Sequence, residues 1–143
     1  MHATARRDRA PMSALELVDA HGERAELPVA EALAIKFWSI DCLPWRLEMP
    51  EFQAFVNSTA QSRKHVVVAV NVQDSPERVH DWMAKHGYEF PVLFTREDLP
   101  MMLPTTWFTD RDRRLVFEVA GSQEKTWFEH ENSWRLQFIE PGA

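Results

Sequence analysis

The chain holds a single cysteine, Cys42, among 143 residues. One thiol cannot close an internal disulfide, so no covalent staple is available and no cysteine pairing reports on the redox compartment. Nor can one thiol alternate unaided between dithiol and disulfide forms. Apolar runs approaching about 18 residues are missing, which argues against a membrane-spanning helix. The arginines Arg6, Arg7 and Arg9 are followed by polar residues and Pro11 rather than by the apolar stretch of a secretory leader. As written the chain reads as cytoplasmic, with a processed periplasmic form as the alternative. Excess basic charge is also lacking. With 16 Lys and Arg against 22 Asp and Glu the net charge is -6, which disfavours nonspecific binding to nucleic acid or an anionic membrane. The six histidines (His2, His21, His65, His80, His86 and His130) show no metal-ligand spacing and no cysteine cluster accompanies them, so neither metal nor cofactor is expected.

Large apolar side chains are abundant. Nine Phe, six Trp and six Met provide enough buried surface for one hydrophobic core without a disulfide or metal, leaving the cysteine free for chemistry. Residues 1–12 read as a flexible basic arm and residues 13–143 as a single domain. Within that domain, segments 14–18 and 24–27 flank the turn-like Asp19, Ala20, His21 and Gly22, predicting a hairpin. Leu33 to Trp38 reads as a central strand, and His65 to Val72, with its five valines, as a buried one. Trp45, Met49, Phe52 and Val56 recur along one helical face. Pro44 suits that helix's first turn, and Pro50 should kink it.

A second helix is predicted from Pro76 to His86, capped by Ser75 and ended by Gly87, with Val79, Trp82, Met83 and His86 on one face. Phe90 to Phe94, Thr105 to Phe108 and Leu115 to Val119 read as strands, the last two joined by the charged turn 111–113. Trp127, Trp134 and Phe138 share a face of a closing amphipathic helix. This order predicts an α/β fold: a mixed central β-sheet with helices on both faces and an N-terminal β-hairpin. Right-handed crossovers would bring strand ends and helix starts to a common edge, and Cys42 belongs to that edge.

The residues around Cys42 add a family likeness. Phe37-Trp38-Ser39-Ile40-Asp41-Cys42-Leu43-Pro44-Trp45-Arg46 resembles the strand-to-helix F-W-x-x-x-C-x-P-C-R loop of the thioredoxin-like superfamily, most closely its TlpA/ResA-type redoxin branch of thiol-disulfide oxidoreductases, and Glu48-Met49-Pro50 continues the pattern. Val70-Asn71-Val72, Phe90-Pro91-Val92-Leu93, Leu103-Pro104-Thr105-Thr106 and Asp110-Arg111-Asp112-Arg113 are similar, in the same order, to later family segments. The likeness spans residues 14–140. It implies a thioredoxin-like fold, Cys42 as the catalytic thiol, and a cis proline at Pro104 beside it. Trp45, Leu103 and Pro104 would then contact a substrate, a protein thiol or disulfide or a low-molecular-weight thiol.

Three departures carry consequences. Trp45 stands where the second cysteine would be, so the step that resolves a mixed disulfide from within is excluded. Lys36 occupies the position of a buried acid, and Asp41 replaces an aromatic residue next to the thiol. The segment between Phe94 and Leu103 is also shorter than in relatives. A helix start and Arg46 favour the thiolate of Cys42, a neighbouring Asp41 disfavours it, and Lys36 favours it where its ammonium lies beneath the loop. The bland alternatives are a buried inert thiol, a core indole at Trp45 and a plain tight turn at Pro104. Three functions compete: a monothiol redox protein whose mixed disulfides an external thiol resolves, a redox-inactive protein-binding or chaperone-like module, and a one-cysteine peroxidase. The last draws on Ser39-x-x-Cys42 but lacks the upstream proline, since Ile35 stands there.

Overall fold

Valine-rich and aromatic segments alternate with helical ones, and the computed structural model arranges them around one eight-stranded sheet. The structure describes residues 3–5, 16–28, 32–41, 49–50, 52–54, 56–57, 65–95, 103–110 and 114–120. The strands are β1 (Ala3–Ala5), β2 (Leu17–Val18), β3 (Arg24–Ala25), β4 (Ala32–Trp38), β5 (His65–Asn71), β6 (Val92–Thr95), β7 (Thr105–Thr109) and β8 (Leu115–Ala120). Their order across the sheet is β1-β8-β7-β4-β5-β6-β2-β3. β4 pairs in parallel with β5, and β5 with β6, while the other contacts are antiparallel. The sheet is therefore mixed, as the segment order predicts.

β4 shows how the sequence dictates the layers. Successive side chains of a strand point to opposite faces. Leu33, Ile35 and Phe37 accordingly join Leu17, Val68 and Val70 in one apolar cluster, while Ala34 and Trp38 join the cluster on the other face. That second cluster also takes in Met49, Phe52, Val79 and Met83, so both described helical stretches cover the same side. Met49 and Phe52 are fully buried and Val56 packs against them, the expected stripe of the first helix. The stretch 42–48, including Trp45 of that stripe, lies outside the described residues, as do the turn 111–113 and the closing helix expected around Trp127, Trp134 and Phe138.

The helix Pro76–His86 begins and ends where its residues dictate. Ser75 Oγ accepts from the Arg78 N–H at 3.2 Å, and Pro76 fills the first turn. Gly87 adopts φ 75°, a left-handed conformation that costs a residue without a Cβ least. From there its N–H reaches Ala84 O and the Tyr88 N–H reaches Met83 O, satisfying two terminal carbonyls. One boundary differs from expectation. β6 runs over Val92–Thr95 instead of residues 90–94: the Gln53 side chain clasps both the N–H and C=O of Glu89, and Phe90 turns its ring onto Trp38 and Phe52. Within residues 1–12, read as a flexible basic arm, Ala3–Ala5 pairs with β8. The outer edge of β8 offers free backbone donors and acceptors, and this short strand satisfies them irrespective of its side chains.

The β2–β3 hairpin turns on Asp19. Its Oδ1 accepts from the N–H groups of His21 (2.8 Å) and Glu23 (3.1 Å), and these two bonds hold its carboxyl below the ordinary value of 3.8. A carboxyl depressed by folding stabilises the native state above its unfolded value and loses that contribution as pH falls through the folded one. The amides of His21 and Glu23 are therefore expected to lose hydrogen-exchange protection on acidification below 3.8, and Asp19→Asn to remove that acid dependence. Side-chain carboxyl NMR titration of Asp19 checks it: an apparent value at or above 3.8 contradicts the turn as described.

Candidate functional site

The C-terminal ends of β4, β5 and β6 and the first residue of β7 meet along one edge of the sheet. Trp38 pairs with Asn71, Asn71 with Phe94, and Phe37 with Thr105. Pro104, immediately before Thr105, is thereby brought level with the end of β4, and the Leu103–Pro104 peptide is cis. Pro104 is buried and Leu103 half-buried, packed against the sheet face that holds Phe37. Of the candidate residues in β4 itself, Lys36 lies opposite Thr106, two positions inside the strand end, and is only 2% exposed. By alternation it shares the face of Ala34 and Trp38, the face the helices cover.

Beyond Trp38 the chain leaves the sheet through Ser39, Ile40 and Asp41, and every one of these residues is tied to the segment following β5. The Val72 N–H donates to Trp38 O at 2.9 Å, extending the parallel pairing by one step. Gln73 Nε2 donates to Ser39 Oγ at 3.2 Å. The Ile40 N–H donates to Asp74 Oδ2 at 2.7 Å, and Asn71 Nδ2 reaches the same oxygen at 3.0 Å while Asn71 Oδ1 accepts from the Asp74 N–H. Asp74 is thus the hub of the edge, with its side chain only 2% exposed.

Arg78 links this hub to the last described residue of the loop. Its Nη1 lies 2.9 Å from Asp74 Oδ1, and its Nη2 lies 3.0 Å from Asp41 Oδ1, with a longer Nη1 contact of 3.5 Å to Asp41 Oδ2. The hydrogen bond and the charge of Asp41 hold the guanidinium above its ordinary value, with Asp74 adding to the effect. Asp41 thereby has its counter-charge in Arg78.

Cys42, Trp45 and Arg46 lie outside the described residues. Asp41, Leu103 and Pro104 come to the edge from which the chain runs on to Cys42, whereas Lys36 lies two positions inside β4 on the face opposite Leu103. Asp74, Arg78 and Asn71 were not singled out by residue pattern. The signal for two of them is present, since Asp74 and Arg78 are four apart around a helix start, the spacing of a carboxylate-guanidinium pair. Among the described residues no group of three or more His, Cys, Asp or Glu is arranged to hold a metal ion, and no helix is long and apolar enough to cross a membrane.

The sequence profile of the AhpC/TSA family matches residues 7–117. Over 118 residues the chain is 29% identical to the thiol-disulfide oxidoreductase ResA of Bacillus subtilis (strain 168), covering 77% of this chain and 65% of that protein. ResA of Bacillus anthracis is 23% identical over 120 residues, 76% of this chain and 67% of that one. The chain thus spans just under two thirds of the length of its B. subtilis relative. Among solved structures, StoA from Bacillus subtilis superposes with a TM-score of 0.65 at 19% identity, over 90% of this chain and 99% of that one. A thioredoxin-like protein from Porphyromonas gingivalis gives 0.69 at 18% identity, over 91% and 92%. The fold is thioredoxin-like.

Proposed function

Because this chain belongs to the AhpC/TSA family, we propose that it is a thiol-disulfide redox protein working with one thiol, Cys42, and that residues 13–143 act as its single domain. The observation that carries this reading is the sequence at the end of β4: the only cysteine of the chain follows Asp41, and an indole, Trp45, takes the place of a second thiol. In the proposed cycle the Cys42 thiolate attacks one sulfur of a disulfide in a protein or small-thiol partner. The old S–S bond breaks, a mixed disulfide forms on Cys42, and the other sulfur leaves as a thiolate. An external thiolate then attacks the partner's sulfur, releasing Cys42 as thiolate and forming a new disulfide. One S–S bond is lost and one gained at each step, so no further oxidant or cofactor is needed. Leu103 and Pro104 level with the end of β4 support a partner strand docking there, where the backbone ahead of a β7 start can pair with an extended segment. Lys36, Asp41 and Arg46 would tune the thiol, and Trp45 would contact the partner.

Incubation with oxidised glutathione under native conditions is expected to add one glutathione to the parent and none to Cys42→Ser, and a small thiol should remove it, all read by intact mass. Labelling of Cys42 only after unfolding would overturn the redox reading. Trp45 in the second-thiol position favours one other function, a binding module that uses the same edge without redox chemistry. In that case Cys42→Ser keeps partner binding intact.

A further inference from the structure

Arg78 stands where helix electrostatics argue against it. It is the third residue of the helix Pro76–His86, in the turn where the macrodipole is positive and carboxylates are favoured. The exposed pair it makes is also a weak source of stability: the side chains of Arg78 and Asp41 are 51% and 62% exposed, and water and salt screen such pairs. A cation placed against the dipole, in a pair too open to stabilise the fold much, calls for another role. The contacts supply one. The guanidinium spans two carboxylates that belong to different elements: Asp74, the buried hub that also receives the Ile40 N–H, and Asp41, the residue bonded to Cys42.

We infer that Arg78 is a positioning residue for the thiol loop: it fastens Asp41 to the start of the 76–86 helix through Asp74 and offsets the negative charge of the residue that precedes Cys42 in the chain. This rests on the redox reading of Cys42 and deepens it. The ring closes through Ile40, so residues 40 and 41 are both held from Asp74, one by a backbone hydrogen bond and one through the guanidinium. The planar fork of arginine suits this bridge, since its two Nη groups can serve two carboxylates at once. Asp41 is the residue at which the loop departs from its family's aromatic side chain. A carboxylate there would by itself disfavour the neighbouring thiolate, and Arg78 offsets that penalty. The other two cations proposed to tune the thiol, Lys36 within β4 and Arg46 in the chain beyond Cys42, are left unaltered by the test below.

The experiment titrates Cys42 by the ultraviolet absorbance of its thiolate in the intact chain, with Cys42→Ser as blank, for the parent, Arg78→Gln, Arg78→Lys, Asp41→Asn and the double variant Asp41→Asn/Arg78→Gln. At low ionic strength Arg78→Gln is expected to raise the thiol's pKa by about half a unit, a roughly threefold loss of thiolate near neutrality. Asp41→Asn should lower it by a similar amount, because the guanidinium is then uncompensated. The double variant should return close to the parent, Arg78→Lys should stay near it, and the shifts should shrink in high salt. A merely structural Arg78 predicts something different: the same change in Arg78→Gln and in the double variant, and no recovery in Arg78→Lys. Either that pattern or an unmoved thiol in Arg78→Gln overturns the inference. Should Arg78→Gln fail to fold, the double variant set against Asp41→Asn still decides the matter: its thiol should lie about half a unit higher, and equal values overturn the inference. The absorbance needs no disulfide partner, so a Cys42 that takes no glutathione while obeying this cycle sinks the redox reading and leaves the positioning role standing.

Discussion

Replacing Asp74 by alanine is expected to destabilise the fold by about 2–4 kcal/mol, far more than a polar residue beside a helix start would ordinarily cost. The side chain is 2% exposed and serves three donors at once: the Ile40 N–H, Asn71 Nδ2 and Arg78 Nη1. A hydrogen bond to a charged acceptor contributes about 1.5–3 kcal/mol, and deleting the acceptor also leaves the buried donors facing nothing. Ile40 is itself 2% exposed, so water reaches its N–H only if the loop moves. The loss is therefore expected to show twice. Denaturant unfolding should give a lower midpoint with an unchanged slope, and the Ile40 amide should lose hydrogen-exchange protection beyond the global change. Asp74→Asn keeps one acceptor oxygen but no charge, and is expected to fall between the two. A midpoint for Asp74→Ala within about 0.5 kcal/mol of the parent would mean that the hub bears no weight.

That hub marks the boundary of what could be read from the residues. Where a segment carries its own instructions, the fold was legible. The five valines of 65–72 can only form a buried strand, Ser75, Pro76 and Gly87 bracket a helix by cap, first-turn and left-handed preferences, and Asp19 to Gly22 spell a turn. The cis peptide at Leu103–Pro104 followed from a family likeness rather than from any local pattern. Features decided by distant partners were not legible. Asp74 meets Ile40 across 34 residues and Arg78 meets Asp41 across 37, and nothing near either residue announces the meeting. Ala3–Ala5 forms a strand only because β8 presents an open edge, so three small residues without alternation gave no sign of it. The start of β6 slipped by two positions for a similar reason, since Gln53, on another element, holds the backbone of Glu89 and the Phe90 ring packs on the distant Trp38 and Phe52. The candidate site divides the same way: the chain position of Cys42 beyond β4 was readable, and the counter-charge for Asp41 was not.

The largest single loss is expected from Trp38→Ala, about 3–5 kcal/mol of a total of about 5–15. Trp38 is completely buried and closes β4 on the face the helices cover. Its indole lies 5.8 Å from Trp82 of the 76–86 helix at 45° and 6.4 Å from Phe90 in an edge-on arrangement at 69°. Phe90 in turn meets Phe52 edge-on at 5.1 Å, so one ring system joins the sheet to both helical stretches. Truncation to alanine removes the transfer energy of the ring and leaves a cavity that the surrounding elements can close only in part. Trp38→Phe retains a ring edge for Phe90 and should cost markedly less. A double-mutant cycle of Trp38→Leu with Phe90→Leu, each of which removes a ring, should give a coupling of about 0.5–1.5 kcal/mol, the range of paired aromatic rings. Because Trp38 also holds Val72 through its backbone oxygen, which the substitution leaves in place, the β4–β5 register is expected to survive the loss of the side chain. Thiol titration of Cys42 in Trp38→Phe should accordingly stay near the parent even as stability falls. An unfolding free energy for Trp38→Ala within about 1.5 kcal/mol of the parent would show that the rings do not knit these layers together.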